Sequence, residues 1–263
     1  MDLQLKGKVA VVSGGSRGIG RRIVQAFADE GCDVSFCGRD EENLCKAEED
    51  LRSAGINVHA FCGDITDPSD SDAFINGAAE ALGGIDILVN NVGGASGGAK
   101  PFAETTDEDW LKTYEMNVFH SVRATRLVLP HFQKRGGGAV AIISSISGWL
   151  GGGYPQYGST KAGEIFLARE LAIDLADQNV RVNAICPGSI LWEDNGWDNF
   201  RKGNPEVFAD FEKREFPFGR LGTPEEIADV VAFICSPRAS WVTGALIPVD
   251  GAQRRPAVDR KER

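Results

Sequence analysis

The sequence predicts an α/β fold: one doubly wound domain with a seven-stranded parallel sheet flanked by helices. Two observations carry this. Short β-rich apolar runs alternate with longer helical patterns along the whole chain, as repeated βαβ units require. Most of the apolar runs are continuous rather than alternating, which suits strands covered on both faces.

The elements follow in order. A strand at Val9 to Val12 leads through a glycine-rich turn into a helix at Ile19 to Glu30. Strands at Asp33 to Cys37 and Asn57 to Cys62 precede helices at Glu41 to Ala54 and Pro68 to Ala81. A strand at Ile85 to Asn90 precedes a long helix at Asp107 to Phe132, whose start is marked by Thr106 before Asp107-Glu108-Asp109. These acids sit where the first helical turn carries positive potential. The strand at Ala139 to Ser144, the helix at Gln156 to Asp177 and the strand at Val180 to Cys186 continue the rhythm. The last helix, Pro224 to Cys235, opens on Thr223-Pro224-Glu225-Glu226, a capping residue followed by proline where no N–H is needed. A strand at Leu246 to Val249 completes the sheet.

No linker, repeat or change of composition divides the 263 residues, so 1–253 is read as one domain and 254–263 as a charged tail. Segment 191–219 breaks the rhythm with Trp192, Trp197, Phe200, Phe208, Phe211, Phe216 and Phe218. Its aromatic content argues for a substrate lid, with an oligomer contact surface as the alternative.

A net charge of −10 opposes binding to a phosphate backbone, so no nucleic-acid partner is expected. The basic tail residues Arg254, Arg255, Arg260, Lys261 and Arg263 are interrupted by Asp259 and Glu262 and read as a solvated, poorly ordered end. No run reaches the apolar length of a membrane span, and the N-terminus lacks a signal-like apolar region. The six cysteines show no C-x-x-C spacing, which favours reduced thiols in a cytoplasmic protein. His59, His120 and His131 lie outside any H-E-x-x-H context, so no metal is expected.

Ser13-Gly14-Gly15-Ser16-Arg17-Gly18-Ile19-Gly20 lies between the first strand and the first helix. A helix N-terminus offers free N–H groups, and glycine lets a pyrophosphate approach the backbone. The glycine spacing is not G-x-G-x-x-G, and Arg21-Arg22 replaces the Lys-Ser/Thr of a Walker loop. Alone, the loop reads equally well as a tight turn.

Other stations follow in order: Asn90-Asn91-Val92-Gly93, Asn117, Ser145, Tyr157 with Lys161 four residues on, and Pro187-Gly188. Together they resemble the short-chain dehydrogenase/reductase family, including its 3-oxoacyl-carrier-protein reductase-like members, from about Gly7 to Gly251. The resemblance implies a Rossmann-type, NAD(P)-dependent enzyme that moves a hydride between nicotinamide and a carbonyl or secondary alcohol. It implies cofactor contacts from Gly14, Ser16, Arg17, Gly18, Ile19 and Gly20 in the loop and from Pro187 and Gly188 after the sixth strand. Asp64 and Ile65 are expected to border the adenine, Asn90 a cofactor ribose and Ile190 the nicotinamide side.

Arg39 follows the second strand where NADPH-preferring members often carry a base, and Arg17 is placed to reach the same phosphate. NADP(H) is therefore favoured, with NAD(H) retained because Asp40 would suit it if the strand ran one residue further.

Tyr157 and Lys161 share one helix face. A neighbouring ammonium favours a phenolate over a phenol, which suits tyrosine to exchange a proton with a developing alkoxide. The resemblance gives Lys161 a further hold on the nicotinamide ribose, Ser145 a hydrogen bond to the substrate oxygen, and Asn117 a helix irregularity and a water in the proton relay. Ser145 lies 12 residues before Tyr157, slightly closer than is usual for the family, and Ser147 is the more distant alternative. The family threonine after Pro187-Gly188 is replaced by Ser189-Ile190-Leu191-Trp192.

The glycine run Gly93 to Gly98 and segment Gly151 to Pro155 are expected to flank the substrate cleft, with Trp149 or Tyr154 as wall residues. The aromatic lid points to an apolar or aromatic ketone. The alternatives are an NAD-dependent secondary alcohol dehydrogenase and a nonenzymatic dinucleotide sensor; a purely structural oligomer subunit leaves the phosphate loop unexplained. A homo-oligomer, tetramer or dimer, is implied by the resemblance, with the long helices Asp107 to Phe132 and Gln156 to Asp177 at the interface.

Overall fold

A computed structural model describes residues 1–53, 55–95 and 100–258. Strands β1 (Val9–Val12), β2 (Asp33–Gly38), β3 (Val58–Cys62), β4 (Ile87–Asn90), β5 (Gly138–Ile143), β6 (Val180–Pro187) and β7 (Leu246–Val249) form one parallel sheet in the order β3-β2-β1-β4-β5-β6-β7. The order reverses between β1 and β4, so their carboxyl ends open the crevice where doubly wound sheets hold ligands.

Continuous apolar runs become strands covered on both faces. Val11 and Leu88 face one apolar layer, while Ala10, Val12, Ile87 and Val89 face the other. Helices α1 (Gly18–Asp29), α2 (Glu41–Arg52) and α9 (Pro224–Cys235) cover the second layer through residues such as Phe27, Leu51 and Val231. Helices α3 (Pro68–Leu82), α5 (His120–Arg135) and α6 (Pro155–Asp174) cover the first through Phe74, Phe132 and Ala168. Burial of each such aliphatic or aromatic side chain contributes roughly 1.5–3 kcal/mol.

The sequence places the helix starts well. Thr106 accepts from the Asp109 N–H at 3.2 Å, while the Asp109 carboxylate accepts from the Thr106 N–H at 2.9 Å. Thr223 and Glu226 form the same reciprocal box at the start of α9. The predicted end of the second helix at Ala54 lies outside the described residues.

Three expectations change. The stretch Asp107 to Phe132 is not one regular helix: α4 (Asp107–Tyr114) passes through a π-helical turn, Glu115–Phe119, into α5. Segment 191–219 contains two helices, α7 (Gly196–Gly203) and α8 (Pro205–Glu215). Gly196, Gly203 and Pro205 punctuate helices too short to show a clear period. Their aromatic residues make a small core of their own, in which Trp197 stacks on Phe211 at 5.0 Å.

The third change concerns the tail, expected to be solvated from 254 onward. Pro256 and Val258 are buried, Val258 in the α8 cluster, and the Arg254 N–H donates to Glu215 O at 3.0 Å. Apolar burial and backbone pairing outweigh the basic composition here. Tail residues Asp259, Arg260, Lys261, Glu262 and Arg263 lie outside the described residues.

Among the described residues, no helix is long and apolar enough to cross a membrane, and no cluster of histidine, cysteine and acidic side chains could hold a metal. The six cysteines are free thiols.

Candidate active site

The loop after β1 is shaped for close approach. Gly14 and Gly18 have φ of 68° and 56°, left-handed values that disfavour a side chain. A Cβ on Gly20 would collide with Gly14 O. The N-cap of α1, Arg17, makes no side-chain capping bond, and no acid occupies the first turn. Side chains cap α2 and α3, by contrast, through Asp40 and Asp67. The leading N–H groups of α1 therefore face an open cleft, the arrangement that suits a pyrophosphate.

That cleft, about 1120 Å³, is lined by Gly14, Ser16, Arg17, Gly18, Ile19, Gly20, Arg39, Asp64, Ile65, Ser145, Tyr157, Lys161, Pro187, Gly188 and Ile190. Residues far apart in sequence meet because they lie at or just beyond the carboxyl end of a strand or in the first two turns of the next helix. A nicotinamide dinucleotide fits this set: a glycine cradle at a helix start, bases beside the second strand and a tyrosine–lysine pair at the far end.

Asn90 departs from expectation. Its side chain is buried and donates to Thr125 Oγ1 at 3.1 Å, toward α5, away from the cleft. The residue that lines the cleft is Asn91, whose Nδ2 donates to Ser13 O at 2.9 Å and Gly14 O at 3.2 Å, tying β4 to the glycine loop. Successive strand residues point to opposite sides, so a one-residue choice in Asn90-Asn91 reverses the assignment.

Beside β2, Arg39 is exposed and its Nη1 lies 3.4 Å from Asp64 Oδ2. Partial burial works against the Asp64 carboxylate, but hydrogen bonds from Thr66 and the Arg39 guanidinium hold its pKa below the usual value. β2 ends at Gly38, and Asp40 is occupied as the cap of α2, accepting from Asn43 N–H at 2.9 Å. β2 thus runs one residue past the expected Cys37, the condition under which Asp40 would suit a ribose, and Asp40 lines the cleft beside Arg39.

Asn117 lies inside the π-helical turn. Its Nδ2 donates to Thr113 O at 2.7 Å and Gly94 O at 2.8 Å, while its Oδ1 accepts from Gly94 N–H at 3.1 Å. The irregularity implied by the family resemblance is thus present, and its side chain braces the start of the glycine run; Ser96 to Gly98 of that run lie outside the described residues.

Ser145 Oγ accepts from Ser147 N–H at 3.1 Å at the cleft wall. Ser144 also reaches the cleft, but its hydroxyl is engaged with Lys161 O at 2.8 Å. Ser147, Trp149 and Tyr154 are not among the lining residues, whereas Trp192 and Trp197 are.

Lys161 Nζ lies 5.7 Å from the centre of the Tyr157 ring and donates to Ile143 O at 3.0 Å. It also donates to Glu164 Oε1 at 3.1 Å. Burial alone would drive the Lys161 proton off, but the carboxylate and Tyr157 raise its pKa instead. Glu164 was missed in sequence; its signal is a carboxylate at i+3 from Lys161 on an inward helix face. His120 is buried beneath, bound through Nε2 to Val92 O at 2.9 Å, and burial with the Lys161 charge pushes its pKa down to about 4.

Comparison with known proteins agrees with this geometry. The family profile described as enoyl-(acyl carrier protein) reductase matches residues 14–252. The 7alpha-hydroxysteroid dehydrogenase of Escherichia coli K12 is 36% identical over 252 residues, covering 95% of each chain. Human dehydrogenase/reductase SDR family member 4 is 33% identical, covering 94% of this chain and 87% of its own. Among solved structures, 7alpha-hydroxysteroid dehydrogenase complexed with NADH and 7-oxo glycochenodeoxycholic acid superposes with a TM-score of 0.89 at 35% identity, covering 98% of both chains. The L-sorbose reductase of Gluconobacter frateurii, complexed with NADPH and L-sorbose, also gives 0.89, at 33% identity over 96% of this chain and 98% of that one.

Proposed function

Since the chain belongs to the short-chain dehydrogenase/reductase family and is thus a pyridine-nucleotide oxidoreductase of the carbonyl/alcohol pair, we propose that it is an NADP(H)-dependent ketone reductase. The observation carrying this reading is the meeting of Ser145, Tyr157 and Lys161 with the glycine loop and Arg39 in one cleft.

The dinucleotide, when bound, supplies or takes the hydride. Gly14, Ser16, Arg17, Gly18, Ile19 and Gly20 hold its phosphates, Arg39 its 2′-phosphate, Asp64 and Ile65 the adenine edge, and Pro187, Gly188 and Ile190 the nicotinamide end. In reduction, Tyr157 Oη gives its proton to the carbonyl oxygen as that oxygen gains negative charge. Ser145 Oγ donates a hydrogen bond to the same oxygen, a contact that strengthens as the charge develops. Lys161 favours the phenolate left behind and holds the cofactor ribose. Asn117 braces the π-helical turn and serves the proton relay. Oxidation reverses each step.

Trp197, which lines the cleft, favours a bulky apolar or aromatic ketone, with segment 191–219 acting as the lid. The oxo-bile acid named with one neighbour agrees with this; the sorbose named with another is the contrasting case. A second reading, an NAD-dependent secondary alcohol dehydrogenase, draws on the Arg39–Asp64 ion pair, which already answers part of the arginine charge, and on the NADH bound to a neighbour.

Exposed Leu111, Phe119, Phe166 and Ile173 along α4 to α6 support a homo-oligomer, dimer or tetramer, through these helices. The reading includes one catalytic domain over 1–253 and a cytoplasmic location, without a nucleic-acid or membrane partner.

The test is turnover of 7-oxo glycochenodeoxycholic acid, acetophenone and L-sorbose with NADPH or NADH, by wild type and Tyr157→Phe. Reduction of either apolar ketone with NADPH, lost in the variant, is expected. Preference for sorbose would overturn the substrate class, and cofactor binding without turnover would favour the sensor.

A further inference from the structure

Lys161 and Glu164 are 2% and 1% exposed, and the ammonium lies 3.1 Å and 3.0 Å from the two carboxylate oxygens. Tyr157, Lys161 and Glu164 are spaced i, i+4 and i+7 and so occupy one face of α6, with the ammonium in contact range of both the ring and the carboxylate. Packing does not require an acid here. An aliphatic side chain would fill the same space without the cost of desolvating a charge.

We propose that Glu164 is a positioning residue that offsets the charge of Lys161 as felt by Tyr157, and so sets the pH range over which the Tyr157 proton is held. This inference rests on the reading of Tyr157 as the proton donor. An ammonium alone presents one positive charge to the phenol; paired with an ionised carboxylate it presents a near-neutral dipole, and the proton is retained to higher pH.

Burial pushes the Glu164 carboxyl up to about 7 despite the attraction of Lys161. The compensation needs the ionised carboxylate and so weakens as pH falls. Other groups facing the pair do not change charge near neutral pH. His120 on α5, pushed down to about 4, and Cys186 on β6, pushed up to about 11 by burial, both stay neutral. Arg123 on α5 is paired with Glu115 at 3.0 Å. Ser144 and Asn117 do not ionise in this range.

The chain has three tyrosines, so the phenolate absorbance of wild type minus that of Tyr157→Phe isolates Tyr157 without any substrate. We would titrate the protein with NADP⁺ added, then repeat the titration in Glu164→Gln, Glu164→Met and Glu164→Asp. The neutral variants are expected to lower the Tyr157 midpoint by about one pH unit, the scale of a unit charge acting over two helical turns at an effective dielectric near 20. Glu164→Asp should fall between them and wild type, and it carries the test alone if both neutral variants fail to fold. An unmoved midpoint would overturn the inference by making Glu164 merely structural. A midpoint that rises would overturn it too, by showing that Glu164 mainly keeps Lys161 protonated. Full turnover in Tyr157→Phe would instead remove the underlying functional reading, whatever the Glu164 variants do.

Discussion

Gly93 lies so close to Lys161 that a Cβ built on it would stand 2.8 Å from Nζ, and equally close to Asn117 Oδ1. Lysine tips usually yield to such pressure, but this one is pinned by Ile143 O at 3.0 Å and by Glu164. Asn117 is pinned too, by Gly94 and Thr113. The absence of a side chain at Gly93 is thus a condition for bringing Lys161 to the cleft and Asn117 against the start of the glycine run.

Gly93→Ala should therefore lower kcat more than it lowers stability. Displacing the ammonium weakens its hold on the phenolate, and losses on the order of 10–100-fold follow from a disturbed acid–base pair. Steady-state kinetics beside a thermal melt would decide the matter. A variant with unchanged kcat would show that Lys161 moves freely.

Arg39 stands beyond the end of β2, and Asp40 is committed to capping α2. If Arg39 holds a 2′-phosphate, Arg39→Ala should weaken NADPH binding by about 10–100-fold, the scale of a lost charge-assisted hydrogen bond. NADH binding should change little, or improve slightly as Asp64 is released from its 3.4 Å contact. Equal loss for both cofactors would assign Arg39 a structural part. Parallel titrations of the two dinucleotides measure the difference.

How much of this was legible beforehand depended on the range of the signal. The seven strands and the glycine loop announced themselves through continuous apolar runs and local turn chemistry, and β1, at Val9–Val12, and β7, at Leu246–Val249, match their predicted limits. Ordered motifs placed Tyr157 and Lys161. The Asn90 side chain was misplaced because motif order does not say which of two neighbouring asparagines points down. Helices α7 and α8 were hidden by their glycine and proline punctuation. The burial of Val258 depends on a cluster around Phe211 that only the folded chain assembles. Glu164 escaped notice because a buried acid looks like any other helical acid until its surroundings are known.

The indole of Trp192 lies over the glycine loop: a Cβ on Gly18 would come within 2.8 Å of its ring. Gly18→Ala would meet that ring and also force a side chain into a left-handed φ of 56°, which costs about 1–2 kcal/mol by itself. Dinucleotide binding should weaken about tenfold or more. In Gly18→Ala/Trp192→Ala, part of the loss should return, because the collision is gone while the backbone strain remains. A coupling of about 0.5–3 kcal/mol between the sites is expected for residues in contact. Strict additivity in the measured Kd values would mean the indole swings clear.

The far end of segment 191–219 is held electrostatically. Glu226 accepts from Arg220 at 2.6 Å and 3.0 Å and from the Thr223 N–H at 2.9 Å, so it closes the start of α9 and anchors the chain that follows segment 191–219. These bonds, Arg220 first, lower its pKa from 4.5 to about 2. A depressed folded value means that the contribution is present above about pH 4.5 and fades as pH falls toward 2. Glu226→Gln should remove that part of the acid dependence. It should also lower Tm near pH 7 by about 2–4 °C, the effect of losing roughly 1 kcal/mol of capping and surface pairing in a chain of this size. The informative measurement is Tm of both proteins from pH 7 to pH 3. The two curves should converge as the wild-type carboxylate is protonated, and a constant gap would mean that Glu226 acts through packing rather than charge.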